Sequence, residues 1–187
     1  MHTTPTHHPP LTRHDRITAA ALILLVAIAQ QIYMGPAVAM ITAGLVASYF
    51  LWAFTGWHAA PSKILPLYVL AIAVQVLHVA EEYSSGFQRK FPQLLGYQWT
   101  DARFLTFNAL WIAIFVLAAL VIRRAAIAYL IVIFLALAGG VANGAGHILL
   151  FAVEHGSFPG IITAPFLLIV GVALLLRLYK PRPSAPS

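Results

Sequence analysis

His78-Val79-Ala80-Glu81-Glu82 sets an imidazole three and four residues ahead of two adjacent carboxylates. Residues at i, i+3 and i+4 lie on one face of a helix, so His78 can meet either glutamate. Imidazole and carboxylate together suit cation binding, general acid–base chemistry or proton transfer. Asn143 and His147 repeat the i, i+4 spacing further along, and Asn108 stands alone within the apolar run 104–111. Only Asp15, Asp101 and Glu154 complete the five acidic residues of the chain.

These groups stand in surroundings that make them costly. Of the 187 residues, 61% are hydrophobic and 9% charged, against roughly 25% charged in an ordinary soluble domain. Mean hydropathy is +0.87. So little polar surface calls for lipid as solvent. Six stretches, roughly 17–34, 37–54, 64–82, 104–122, 125–151 and 161–179, approach the ~20 apolar residues that cross a hydrocarbon core. The expected fold class is therefore all-α, a polytopic transmembrane helical bundle of about six helices. The first two stretches, separated by Gly35-Pro36, form a tight hairpin, and Gly139-Gly140 invites a bend or tilt in the fifth. Trp52, Trp57, Tyr33, Tyr49 and Tyr179 lie near stretch ends, where amphipathic rings favour the interface. The linker 83–103, with its mixed aromatic and basic residues, reads as a lid or an interfacial segment.

Residues 1–16, rich in Thr, Pro and His, have too little apolar content to fold and are expected to form a disordered cytoplasmic tail, with 180–187 as a second short one. The run after the first tail exceeds the h-region of a signal peptide. No cysteine is present, which excludes disulfides, thiolate metal sites and a cysteine nucleophile. The +6 net charge comes from bases set singly or in pairs at the ends of apolar runs. That placement marks membrane flanks and argues against a nucleic-acid partner.

Six crossings put Arg13, Arg16, Lys63, Arg123, Arg124, Arg177, Lys180 and Arg182 on one side and Arg89, Lys90 and Arg103 on the other. Both termini are then cytoplasmic by the positive-inside rule. In that topology His78 lies about four residues, ~6 Å at 1.5 Å per residue, below the outer surface. Asn108 and His147 lie at similar depth, and Asn143 one turn deeper. A charge deep in a spanning helix costs roughly 2.5–3.5 kcal/mol. Adjacent Glu81 and Glu82 require that one keep a proton or that both share a cation.

At these residues the chain resembles a family of bacterial membrane proteins named for its HXXEE motif. The resemblance rests on His78-x-x-Glu81-Glu82, Phe91-Pro92, Asn108 after an aromatic stretch, Asn143-x-x-x-His147, and Phe158-Pro159-Gly160 with Thr163. It covers roughly residues 60–170. It implies a multi-spanning helical domain with the motif residues at its functional centre, and supplies no reaction. Phe158 stands where the family pattern leads one to expect Tyr, so no phenolic hydroxyl is available there.

Three classes of function fit. In the first, His78, His147 and Glu82 hold a divalent metal such as zinc in a mononuclear site with an open position for water. Glu81 then serves as general base, Asn108 and Asn143 assist, and the substrate is lipid-like or membrane-embedded. The second is metal-free catalysis by Glu81 or Glu82 with a histidine partner and an oxyanion-stabilising asparagine. Its residue types loosely resemble those of membrane-embedded CAAX-type glutamic proteases, in a different order and spacing. The third is a proton- or cation-coupled transporter or binding protein, against which the polar residues gather at one leaflet instead of near the midplane. The alternative to all three is a polar network that only ties helices together.

The topology carries its own test. Gln93→Cys, in a chain without other cysteines, is expected to react with a membrane-impermeant thiol reagent from outside intact cells. Labelling only after permeabilisation would reverse the orientation.

Overall fold

A computed structural model describes residues 11–55, 59–156 and 158–179. Most of the N-terminal tail, all of 180–187, and Trp57, Lys180 and Arg182 lie outside the described residues. The first helix, α1 (Arg13–Met34), starts ahead of the apolar run because Thr12 and Asp15 form a reciprocal capping box. Asp15 N donates to Thr12 Oγ1 at 3.1 Å, and Thr12 N donates to Asp15 Oδ2 at 2.9 Å. Two of the helix's otherwise unsatisfied donors are thereby paired. A single 3₁₀ turn (Pro36–Val38) leads into α2 (Ala39–Phe54). Gln30 and Gln31 both donate to Thr42 Oγ1, a polar tie across this hairpin.

The chain continues through α3 (Pro61–Ser85), short α4 (Phe87–Gln93) and α5 (Asp101–Val121). One continuous rod, Ile127–Val153, then comprises α6 (Ile127–Phe134), a π-helical segment (Leu135–Ala142) and α7 (Asn143–Val153). The last helix is α8 (Ala164–Tyr179). The described residues form helices and no strand. Five helical stretches are long and apolar enough to cross a membrane: Arg13–Met34, Pro36–Phe54, Pro61–Ser85, Asp101–Val121 and Ile127–Val153. Helix α8 is apolar but shorter, at 16 residues. Its apolar stretch begins at Ile161, yet the backbone of 161–163 turns toward Glu81 before the helix starts.

The rod sits at the centre, with α2 and α5 against α6 and α8 against the π segment and α7. It is buried over 61% of its most apolar window, whereas α1 is buried over 22%. The outer faces are apolar instead: Ile32 is 81% exposed and Leu120 73%. Such a surface needs hydrocarbon around it. Trp52 lies near a helix end but turns inward, 1% exposed, where its indole donates to Ala126 O at 3.0 Å. Linker 83–103 is anchored to the bundle rather than resting on it, since Trp99 Nε1 donates to Met34 O at 2.7 Å.

Close approach of the rod to α8 depends on glycine. A Cβ at Gly140 would lie 2.6 Å from Gly171 Cα, and one at Gly144 would lie 2.6 Å from Ala164 O. Small residues let membrane helices come into backbone contact. Gly140→Ala is therefore expected to destabilise the bundle by about 1–3 kcal/mol. Gly146→Ala, whose Cβ meets only Met40 Cε at 3.8 Å, should be neutral or slightly stabilising. Thermal unfolding in detergent, followed by helical circular dichroism, compares them; equal midpoints would discount the Gly140 contact.

Candidate metal centre

Helix α3 carries Gln75, His78 and Glu82 on one buried face, as the i, i+3, i+7 spacing requires. Helix α7 brings His147 to that face. Glu82 Oε1 lies 3.0 Å from His147 Nε2 and 3.4 Å from His78 Nε2. The rings stand edge to face, with centroids 4.6 Å apart. All three residues are shielded, at 0%, 5% and 2% exposure for His78, Glu82 and His147.

The partners on the far side of each ring decide where its proton sits. His147 Nδ1 is 2.7 Å from Pro159 O. A carbonyl only accepts, so Nδ1 carries the hydrogen. His78 Nδ1 is 2.7 Å from Thr163 Oγ1, and that hydroxyl donates its one hydrogen to Glu81 Oε2 at 2.5 Å. His78 must therefore donate to it. In the neutral rings both Nε2 atoms are then lone pairs facing one carboxylate oxygen. Three acceptors then converge, a set that a cation, or a proton on a ring nitrogen, would satisfy. A proton between Glu82 and His147 would serve that pair alone. His78 Nε2, buried and without a hydrogen-bond partner, would stay unsatisfied.

These three groups form the cluster among the described residues that could hold a metal ion, with ligand atoms all within 4.8 Å of one another. Two ligands at ~2.0–2.1 Å on a tetrahedral ion are about 3.3 Å apart. Two of the three separations, 3.0 and 3.4 Å, bracket that distance, and the third, between the two histidines, lies within 4.8 Å.

Glu81 lies outside this cluster. Adjacent helical residues point about 100° apart, so the carboxylates share no common partner, contrary to what their adjacency in sequence suggests. Glu81 instead accepts from Ile162 N and Thr163 N, each at 2.8 Å, as well as from the Thr163 hydroxyl. It thus takes up free backbone donors just ahead of α8. Ser84 and Ser85 hydroxyls close the end of α3 by donating to Glu81 O. The loop Phe158-Pro159-Gly160 closes over the imidazoles. Gly160 has φ +86°, and a Cβ there would come within 2.6 Å of the His147 ring and 3.1 Å of His78 Cε1, so both conformation and space exclude a side chain.

Asn108 and Asn143 are not among the three residues of the cluster; they line an adjoining cavity of about 120 Å³. Asn108 Nδ2 donates to Phe104 O in its own helix at 3.0 Å. Glu82, His147 and Gln75 also face the cavity, among aromatic rings from α4, α5 and Trp99. Gln75 was missed by the sequence reading, although an amide inside an apolar run at helical spacing from His78 and Glu82 is a visible signal. Glu154 pairs with Lys90 at 3.3 Å and is not one of the cluster's three residues.

The fold and site define a multi-spanning-type helical protein with a buried His/Glu/His group beneath a glycine-bearing loop. Residues 69–174, more than half of the chain, match the family described as "protein of unknown function with HXXEE motif", and the chain belongs to that family. No curated protein and no solved structure matches it.

Glu81→Gln removes the charge from this set of hydrogen bonds and loosens the start of α8. It is expected to cost about 1.5–3 kcal/mol, read as a lower thermal midpoint. An unchanged midpoint would show that the clip adds nothing to stability.

Proposed function

We propose that His78, Glu82 and His147 bind one divalent cation, zinc-like in its ligand preference, in a membrane-embedded enzyme acting on a lipid-like substrate. The observation that carries this reading is His78 Nε2, buried without a hydrogen-bond partner, which a proton shared by Glu82 and His147 leaves unpaired and a cation satisfies. Two nitrogens and one oxygen suit a catalytic ion with an open position. Such an ion supplies Lewis acidity and a more acidic bound water. Glu82 would be its one anionic ligand. Glu81, whose oxygens already accept three hydrogen bonds, acts as a positioning residue that orients His78 through Thr163. Asn108 and Asn143 contact substrate in the cavity beside the ion. The charge distribution supports cytoplasmic termini, with this site toward the outer leaflet of the cell membrane.

A metal-free acid–base reading draws on the 3.0 Å approach of His147 Nε2 to Glu82 Oε1, which fits a proton held between them. Elemental analysis separates the two. Purified protein offered zinc, manganese or iron(II) should retain close to one equivalent per chain. His147→Ala and Glu82→Gln should retain none. Thr163→Val, which frees His78 Nδ1, should weaken binding by about 10–100-fold. Wild-type protein that holds no metal under these conditions would overturn the proposal in favour of the acid–base reading.

A further inference from the structure

The cavity beside the cluster has a shape and chemistry of its own. Its walls are mainly aromatic and aliphatic, and its polar side chains, Gln75, Glu82, Asn108, Asn143 and His147, offer both acceptors and amide donors. Gln75 is 8% exposed, and its Oε1 is buried without a hydrogen-bond partner. It faces the π segment, 3.2 Å from where a Cβ of Gly139 would stand. Asn108 spends its amide nitrogen on Phe104 O, which leaves its carbonyl oxygen for the cavity. Glu82, at the far end, accepts as well. A ligand head that pairs with these groups must donate to the carboxylate and carbonyl oxygens and accept from the amides, as a hydroxyl does. Burying a charged ammonium in so apolar a space is far costlier than burying a hydroxyl.

Size sets the second constraint. A 150 Å³ apolar cavity accommodates benzene, so about 120 Å³ holds a polar head and the first few carbons, and the rest of a long molecule must lie outside. One wall offers an exit. Met40 of α2 lines the cavity and is 49% exposed on the apolar surface. Opposite it is Gly146 of α7, which also lines the cavity and whose position meets only the Met40 Cε, at 3.8 Å, within 4 Å of a built Cβ. A flexible thioether over a residue without a side chain closes that side.

We infer that the cavity takes the hydroxyl-bearing head of a long-chain lipid alcohol. The molecule enters sideways from the bilayer between Met40 and Gly146, and Gln75 and Asn108 hold its hydroxyl beside Glu82. The inference rests on the enzymatic reading above only for its catalytic sense, and its test is a binding measurement. Trp99 and Trp111 line the cavity, so a bromine carried in with the head group quenches their fluorescence. Full-length protein in lipid vesicles is titrated with 2-bromododecan-1-ol, with its methyl ether, and with 2-bromododecane. The alcohol should quench at about tenfold lower concentration than the ether or the hydrocarbon. Gln75→Leu should erase that preference, and Gly146→Leu should abolish the alcohol's extra quenching, both with wild-type helical content. Equal quenching by all three compounds, or a preference untouched in both variants, overturns the inference. The titration is repeated on metal-stripped protein. A preference that persists there supports the cavity assignment even where metal analysis fails, so the two readings fail separately.

Discussion

A carboxylate inside an apolar helical bundle must be given something positive to face, and Glu82 shares its pocket with two histidine nitrogens that can hold a cation or a proton with it. Among the described residues its ion-pair partners are those imidazoles alone. The cost of a bare charge there, roughly 2.5–3.5 kcal/mol on the most forgiving scale, makes this one group a constraint on three segments. Helix α3 must aim His78 and Glu82 inward together. The central rod must deliver His147 from the other side. The loop before α8 must supply Pro159 O and Thr163 Oγ1 to fix the ring protons. Glu81 must hold that loop in place, although it never touches the cluster of three.

The two adjacent glutamates thus divide the labour by helical geometry. One faces the interior and is held by side chains; the other faces the start of α8 and is held by backbone amides. Their mutual repulsion is relieved by direction. A chain of hydrogen bonds, Glu81 to Thr163 to His78, joins the structural carboxylate to the site. The aromatic rings of α4 and the linker after it then roof the adjoining space: Phe87 stacks on Phe91 and packs against His147 at 5.1 Å between centroids.

Much of this is legible in the sequence. Apolar length alone outlines the spans, and the i, i+4 pairs His78/Glu82 and Asn143/His147 point to shared faces. Spacing does not say which of two adjacent acids turns inward, because that depends on the phase of α3 against neighbours distant in sequence. Nor does it separate ligands from cavity lining: His147 reaches the cluster, whereas Asn143, one turn earlier, faces the cavity. Trp52 looked like an interfacial ring because only its distance from a helix end was visible; its partner, Ala126 O, lies 74 residues away. Gln75 carried a signal of its own, a lone amide at helical spacing from the motif.

The π-helical segment Leu135–Ala142 separates two halves of one rod that serve different neighbours, α6 toward α2 and α5, α7 toward α8 and the histidine site. Each residue advances a helix by about 100°. Losing or gaining a single residue in that segment would turn His147 and Gly144 away from their partners together, while leaving every side chain chemically intact. Substitutions there are local events, tolerated or not by volume. A change in chain count is a change of phase for the whole downstream half. The spacing from α6 to His147 is therefore a dimension of the site, as much as the identity of its ligands.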